Sequence, residues 1–151
     1  MNPVLKKSLK IVLELVIYVG IFGGLLWGLP KGLSNYLKTP YPMAAITSGS
    51  MWPALAQGDL VFIRGEQTKE TIAVGDVVVW RGEDGKGFVI HRVIEMREDT
   101  FITKGDANFT DDEPVGYEQL VGKAIALKNG KLFHIPYLGT VTTFASKQLS
   151  Q

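Results

Sequence analysis

The sequence predicts a mainly β protein in which one N-terminal transmembrane helix precedes a compact β domain. Two observations carry this prediction. An apolar run from Ile11 to Pro30 contains one charge, Glu14, and the chain beyond Pro42 consists of short β-branched segments bounded by Gly, Asp or Asn. Because 151 residues leave room for about one domain, we expect one β domain beside the helix.

The apolar run has the length of a membrane anchor. About 20 residues at ~1.5 Å each reach ~30 Å, the thickness of a hydrocarbon core. A cleaved signal peptide has a shorter apolar core of roughly 7–15 residues and ends at small residues, whereas this run ends at Leu29-Pro30. We therefore expect a retained anchor over residues 11–30, with Glu14 close enough to one end to reach the interface.

The lysines beside the run predict its orientation. Three precede it and two follow it, namely Lys6, Lys7 and Lys10 against Lys31 and Lys38. Because cytoplasmic flanks carry the excess of positive charge, residues 1–10 are predicted to be a cytoplasmic N-terminus. Everything after the anchor would then lie outside the cytoplasm.

Turn residues divide the rest of the chain into short strands. Residues 31–45 contain Pro and Gly and are interpreted as a juxtamembrane linker or a first strand, and residues 46–151 as the extracytoplasmic β domain. A turn is also predicted at Glu83–Gly87, and the stretch Leu132–Ala145 is too short and broken for a second span, so it is predicted as a terminal strand or an interfacial segment. The predicted strands are Asp59–Arg64, Asp76–Trp80, Phe88–Glu95, Thr100–Lys104 and Leu120–Leu127.

Composition excludes several classes of function. Sixteen Lys and Arg against 15 Asp and Glu give a net charge of +1, so the chain lacks the basic field that binds nucleic acid. With no Cys, it has neither disulfides, nor thiolate metal sites, nor a Cys nucleophile.

A hydroxyl-rich peptide after the linker is the first candidate for chemistry. The segment Ile46–Pro53 reads ITSGSMWP, in which Gly49 permits a close approach or unusual dihedral angles and so a tight turn that exposes Ser50. Met51 and Trp52 suit either a lipid interface or core packing. Taken alone, such a loop is more often structural than catalytic, because a serine nucleophile needs a base.

Two histidines are available as that base. His91 lies in the middle of a predicted strand, on the same face as Val89 and Val93, where it is either a core histidine or a general base. His134 has no acidic neighbour in sequence, and a structural role is expected for it.

An acidic segment, Lys104–Pro114, follows the His91 strand and allows three interpretations. Asp106, Asn108, Thr110 and Asp112 alternate as calcium ligands do in an EF-hand loop, but Asp111 stands where that loop needs Gly, and no Glu stands at its last position. The segment is otherwise a solvated turn, or it supplies the acid of a Ser-His-Asp arrangement.

Taken together, these segments resemble the type I signal peptidases, in the archaeal and endoplasmic-reticulum branch. Bacterial members use a Lys base, whereas the corresponding box here contains His91, which indicates the branch that uses His. The segments that carry the resemblance occur in the order of the family: Ser48–Pro53 with Gly58-Asp59, then Gly75–Val78, His91–Val93, and Thr103–Asn108 with Asp112.

The resemblance implies roles for five side chains. Ser50 would be the nucleophile, His91 the general base and Asp112 the orienting acid, while Asp106 would support the site or share that role. Ser48 would form an oxyanion hole with the Ser50 amide. No cofactor or metal is implied.

The resemblance also implies a class of substrate and a location at a membrane, and it leaves two other functions open. The substrates would be preproteins that carry signal peptides, cleaved beside membrane lipid, at the cell membrane or the endoplasmic-reticulum membrane, with or without accessory membrane subunits. Two other functions fit the fold: a self-cleaving serine protease of the repressor type, against which the anchor and His91 argue, and a catalytically inactive membrane-tethered β module that binds a partner.

Overall fold

A computed structural model describes residues 3–65, 67–82 and 87–140. The chain divides into two compact units between Tyr36 and Leu37. The predicted turn at Glu83–Gly87 falls almost wholly outside the described residues, as does the end of the predicted stretch Leu132–Ala145. The first unit is helical and the second is built from strands, as the sequence predicted.

The N-terminal unit is one helical segment with a widened turn. Helix α1 (Pro3–Gly23) passes through a π-helical turn (Gly24–Gly28) into α2 (Leu29–Leu37). The segment Lys6–Leu37, 32 residues long, is the one described helix that is long and apolar enough to cross a membrane. Lys10 lies 3.8 Å from Glu14, one turn along α1, so the acidic side chain in the apolar run has a cationic neighbour.

Helix α2 extends past the predicted end of the anchor. The sequence predicted a linker or strand from residue 31, but the helix continues through Pro30 to Leu37. Within the π turn, the Leu29 amide bonds to the Gly24 carbonyl. A proline lacks an amide hydrogen and crowds the carbonyl of the preceding turn, and a π turn relieves that crowding by shifting the hydrogen-bond register.

Within its described residues, the second unit contains eight strands. They are β1 (Met43–Ala45), β2 (Leu60–Arg64), β3 (Val77–Arg81), β4 (Phe88–Met96), β5 (Thr100–Lys104), β6 (Val115–Gly116), β7 (Leu120–Ala124) and β8 (His134–Ile135). Their order in the sheet is β1-β2-β7-β3-β4-β5-β6, all neighbours are antiparallel, and β8 pairs with β2. The strands predicted at Asp59, Asp76, Phe88, Thr100 and Leu120 all form, with ends shifted by up to three residues.

The core of the described β domain contains two clusters of buried side chains. One packs Met51 and Leu55, from the loop before β2, against Val61 and Val77. The other packs Phe101 of β5 against strands β3 and β4. Met51 is 1% exposed and Trp52 is 61% exposed, so of the two apolar residues beside Ser50 the first is a core residue. The loop that carries Ser50 is therefore fixed to the sheet by the buried side chain of Met51.

Candidate active site

Ser50 lies on a closed loop between β1 and β2. The Ile46 amide donates to the Asp59 carbonyl, and the Gly58 amide donates to the Ile46 carbonyl, each over 2.8 Å. Inside this closure, the buried Met51 holds the turn against the core. Gly58 has φ +95°, a conformation that favours glycine. The loop thus presents Ser50 from a rigid base.

Gly49 does not have the role that its sequence position suggested. A Cβ atom at Gly49 would meet nothing within 4 Å, and its φ is not positive. The close approach occurs instead at Gly105, where a Cβ would lie 2.7 Å from the Ser50 carbonyl oxygen. The Ala107 amide donates to that same oxygen over 2.8 Å. Glycine is therefore required where the acidic segment meets the Ser50 loop.

His91 contacts both Ser50 and Asp112. Its Nε2 lies 3.1 Å from Ser50 Oγ, and its Nδ1 lies 2.6 Å from Asp112 Oδ2. His91 is 8% exposed and comes from the first half of β4. Because the two ring nitrogens contact a hydroxyl and a carboxylate, the imidazole can accept a proton from Ser50 while Asp112 fixes its orientation.

Thr103 and Trp80 extend this chain of hydrogen bonds into the core. The fully buried Thr103 hydroxyl donates to Asp112 Oδ2 over 2.6 Å. The Trp80 indole N–H donates to Thr103 Oγ1 over 3.2 Å. Sequence reasoning assigned neither residue a role, although Thr103 opens one of the segments that carry the family resemblance. Thr103 thus holds the Asp112 carboxylate that contacts His91, and Trp80 in turn holds the Thr103 hydroxyl.

Asp106 lies outside this chain of contacts. Its two carboxylate oxygens accept hydrogen bonds from Arg92 Nε and Nη2 at 2.8 and 2.6 Å, and Arg92 Nη1 donates to the Gly75 carbonyl over 2.8 Å. The hydrogen bonds that Arg92 donates to Asp106 raise the pKa of Arg92. The structure thus brings Asp112 into contact with His91, whereas Asp106 contacts Arg92, whose side chain points to the other face of β4.

The carboxylates of the acidic segment diverge rather than converge. Asp112 faces His91, Asp106 faces Arg92, and Asp111 lies 3.0 Å from Lys104 Nζ. A calcium loop needs its oxygen ligands around one point. The three carboxylates instead contact three separate groups: an imidazole, a guanidinium and an ammonium group.

Ser48 lies beside Ser50. Its Oγ is 3.1 Å from Ser50 Oγ, so a hydroxyl stands next to the atom that would attack a carbonyl carbon. A cleft of about 310 Å³ opens here and is lined by both serines, His91, the buried Met51 and residues 88–90 of β4. A second cavity, of about 330 Å³, lies next to this cleft and has four lining residues in common with it: Ala45, Thr47, Phe88 and Ile90. Its other lining residues lie nearer β1 and β3.

Strand β4 has a free edge along this cleft. Strand β3 pairs with residues Phe88–Arg92 of β4, but β5 pairs with β4 only from Arg92 onward. In the part of the chain that the structure describes, residues 88–91 are thus paired on one side. The Gly87 carbonyl and the Val93 amide bond towards β3, so the backbone groups of Phe88 and Ile90 face the other way, towards the open edge.

Comparison with known proteins identifies the family. The chain is 35% identical to the signal peptidase complex catalytic subunit SEC11 of Fusarium vanettenii over 124 residues, which cover 78% of this chain and 71% of the relative. The sec11 subunit of Neurospora crassa is 33% identical over 125 residues, 78% of this chain and 71% of its own. The subunit of Zygosaccharomyces rouxii is 33% identical over 129 residues, 78% and 73% of the two chains.

The chain belongs to the signal peptidase family. It falls in the endoplasmic-reticulum type I branch, which confirms the resemblance inferred from Ser50, His91 and the segments around them. Signal peptidases are peptide-bond hydrolases, so this chain is assigned to the peptidases. No protein-family model matches the sequence.

His134, the second histidine of this signal peptidase, contacts an acidic residue that is distant from it in sequence, Asp59. His134 on β8 lies opposite Val61 of β2, and its Nδ1 is 2.9 Å from the buried Asp59 carboxylate, a close contact without hydrogen-bond geometry. Asp59 also accepts the Ala56 amide over 2.9 Å. His134 therefore contacts the base of the Ser50 loop, in keeping with the structural role expected for it.

Proposed function

We propose that this chain is a membrane-anchored serine endopeptidase that removes N-terminal signal peptides from secreted precursors. The observation that carries the proposal is the hydrogen-bonded series Ser50–His91–Asp112, with distances of 3.1 and 2.6 Å. Three residues from separate segments meet in the order that acyl transfer requires: nucleophile, base and orienting acid. The family supplies the substrate class.

Catalysis would proceed through an acyl-enzyme. Ser50 Oγ attacks the scissile carbonyl carbon while His91 Nε2 accepts its proton, and Asp112 stabilises the imidazolium. The imidazolium then protonates the leaving amine as the carbon–nitrogen bond breaks. A water molecule, deprotonated by His91, hydrolyses the ester, which releases the signal peptide and restores Ser50.

Ser48 and the Ser50 amide would stabilise the oxyanion. The charge that develops on the carbonyl oxygen needs donors already in place, because a preorganised donor costs no rearrangement in the transition state. The Ser48 hydroxyl, 3.1 Å from Ser50 Oγ, is close enough to turn towards that oxygen once the proton of Ser50 has moved to His91.

The signal peptide would bind as an added strand. The open edge of β4 at Phe88–His91 offers backbone groups to an extended segment, which is the mode of β-augmentation. Side chains two residues apart along such a segment point the same way. The adjoining cavities of about 310 and 330 Å³ then receive the small residues that precede a signal-peptide cleavage site.

Membrane attachment and partners follow from the helix and the family. The helix Lys6–Leu37 would be a single-pass anchor, with the N-terminus cytoplasmic because of the lysine excess before residue 11, and with the β domain outside the cytoplasm. The relatives are catalytic subunits of a signal peptidase complex, so accessory membrane subunits are proposed as partners. An endoplasmic-reticulum or cell-membrane location accords with this arrangement.

The proposal is tested with the full chain purified in detergent. We expect it to cleave a secretory precursor at one bond, found by the mass of the mature product, and the Ser50→Ala variant to release none. Gln57→Ala, which changes an exposed residue of the same loop outside the two cavities of about 310 and 330 Å³, is the matched control. Cleavage by Ser50→Ala at the wild-type rate would contradict the mechanism, and a precursor that binds to both proteins uncut would indicate the binding module.

A further inference from the structure

A third cavity of the β domain lies beyond the catalytic residues. It measures about 790 Å³, against about 310 Å³ for the cleft at Ser50. Its lining combines apolar residues, among them Ala54, Leu132 and Phe133, with polar ones. The polar residues are the ion pair of Arg92 and Asp106 described above, together with Lys131 and His134.

Three chain segments connect this cavity to the catalytic residues. Arg92 directly follows His91 on β4, and Ala54 belongs to the loop that carries Ser50. Asp106 directly precedes Ala107, whose amide donates to the Ser50 carbonyl over 2.8 Å. The cavity therefore adjoins the catalytic residues where β4 continues past His91, on the face of the strand to which the Arg92 side chain points.

The pairing of β4 sets the path of a bound peptide. An extended segment can pair with β4 along Phe88–His91, but from Arg92 onward β5 occupies that edge. A substrate that runs along the open edge must therefore leave it beside Arg92, immediately after the catalytic residues. The 790 Å³ cavity begins at that residue.

Cavity size sets the direction of the peptide. The residues just before a signal-peptide cleavage site are small and match the two smaller cavities along the open edge. The first residues of the mature chain carry no such restriction and need a larger space. This assignment rests on the proposed function, since it takes the substrate to be a precursor cut at Ser50.

We propose that this cavity binds the first residues of the mature segment, on the leaving-amine side of the scissile bond. Leu132 and Phe133 would contact apolar side chains of that segment. The wall formed by Arg92 stays fixed, because its guanidinium donates to both oxygens of Asp106 and to the Gly75 carbonyl. Asp106 thus acts in the leaving-group site and not in orienting His91.

The test compares two substrates that differ only in the leaving group. One is a complete precursor, and the other is the same signal peptide coupled at its carboxyl end to a chromogenic aniline, which has no mature residues. Ala54→Trp fills the cavity, while Gln57→Trp adds the same ring at an exposed position of the same loop. Phe133→Ala, which removes part of the apolar wall, is a second variant.

We expect Ala54→Trp to lower kcat/KM for the precursor about tenfold or more and to leave hydrolysis of the aniline unchanged. Gln57→Trp should leave both unchanged, and Phe133→Ala should affect the precursor alone. Equal losses on both substrates, or none on either, would overturn the proposal. So would a variant that changes preference for the residues before the cleavage site.

A binding measurement separates this proposal from the proposed function. If the wild-type chain cleaves neither substrate, the proposed function fails. A fluorescent peptide that carries the first mature residues is then titrated against the wild-type chain and Ala54→Trp. Weaker binding to Ala54→Trp supports the cavity as a peptide site, and equal or absent binding overturns it.

Discussion

Thr103 Oγ1 lies 2.6 Å from Asp112 Oδ2, the same oxygen that His91 Nδ1 contacts. The hydroxyl is fully buried and is itself held by the indole of Trp80. Asp112 is thus fixed by a donor that comes from the core of the sheet. A partly exposed carboxylate on a loop gains the rigidity of β5 in this way.

Removing this donor should slow catalysis without weakening substrate binding. Thr103→Val keeps the shape of the side chain but leaves Asp112 without the bond and the Trp80 N–H without an acceptor. Since a hydrogen bond to a charged group is worth about 1.5–3 kcal/mol, we expect kcat to fall about tenfold or more with KM unchanged. Thr103→Ser, which keeps the hydroxyl, should restore most of the rate; equal losses in both variants would exclude this role.

The two candidate acids should differ in their effect on the rate. Asp112→Ala removes the group that orients the imidazole, and we expect a loss of about 10³–10⁴ in kcat. Asp106→Ala leaves Arg92 without its bidentate partner, and we expect a smaller loss, on precursors with an intact mature segment. Steady-state kinetics of both variants decide this, and the opposite order would assign the orienting role to Asp106.

Lysine should not replace the histidine. In His91→Lys the side chain has one nitrogen, which cannot contact Ser50 and Asp112 together as the two ring nitrogens do at 3.1 and 2.6 Å. We expect cleavage to stay at the level of His91→Ala. Recovery of the wild-type rate would show that the base needs no orienting acid.

A methyl group at residue 105 should destabilise the fold. In Gly105→Ala the new Cβ would meet the Ser50 carbonyl at 2.7 Å, whereas Gly49→Ala meets nothing within 4 Å. We expect Gly105→Ala to lower the free energy of unfolding by about 1–3 kcal/mol and Gly49→Ala to leave it almost unchanged. Chemical denaturation of both variants measures this, and equal stabilities would refute the close approach.

Local patterns predicted five of the strands, and the family resemblance suggested the roles proposed for Ser50 and His91. Alternation and turn residues located β2, β3, β4, β5 and β7, because these signals lie within a few residues of each other. The two-residue strand β6 is too short for such a pattern, whereas β8 lies within Leu132–Ala145, the stretch predicted as a terminal strand or an interfacial segment. The anchor was predicted by its apolar length, but its end was not, because a π turn lets the helix pass Pro30.

Contacts between side chains that are distant in the chain could not be predicted from the sequence. Thr103 faces Asp112 because the segment after β5 folds back onto that strand, where the Asp112 amide donates to the Thr103 carbonyl over 2.8 Å. Arg92 contacts Asp106 because alternate residues of β4 face opposite sides. The family resemblance ranked Asp112 above Asp106, but sequence spacing could not separate the two acids or predict their partners. Gly49 drew attention as part of the motif, while the steric need fell on Gly105, whose neighbour is 55 positions away in the chain.

The most direct test of the central claim is a double-mutant cycle on Ser50 and His91. The cleavage rate of a precursor is measured for the wild-type chain, Ser50→Ala, His91→Ala and the double variant, with thermal unfolding as the control for folding. If the two side chains act as one unit, the double variant is no slower than either single variant. Losses that multiply would mean that Ser50 and His91 act independently and would contradict the account.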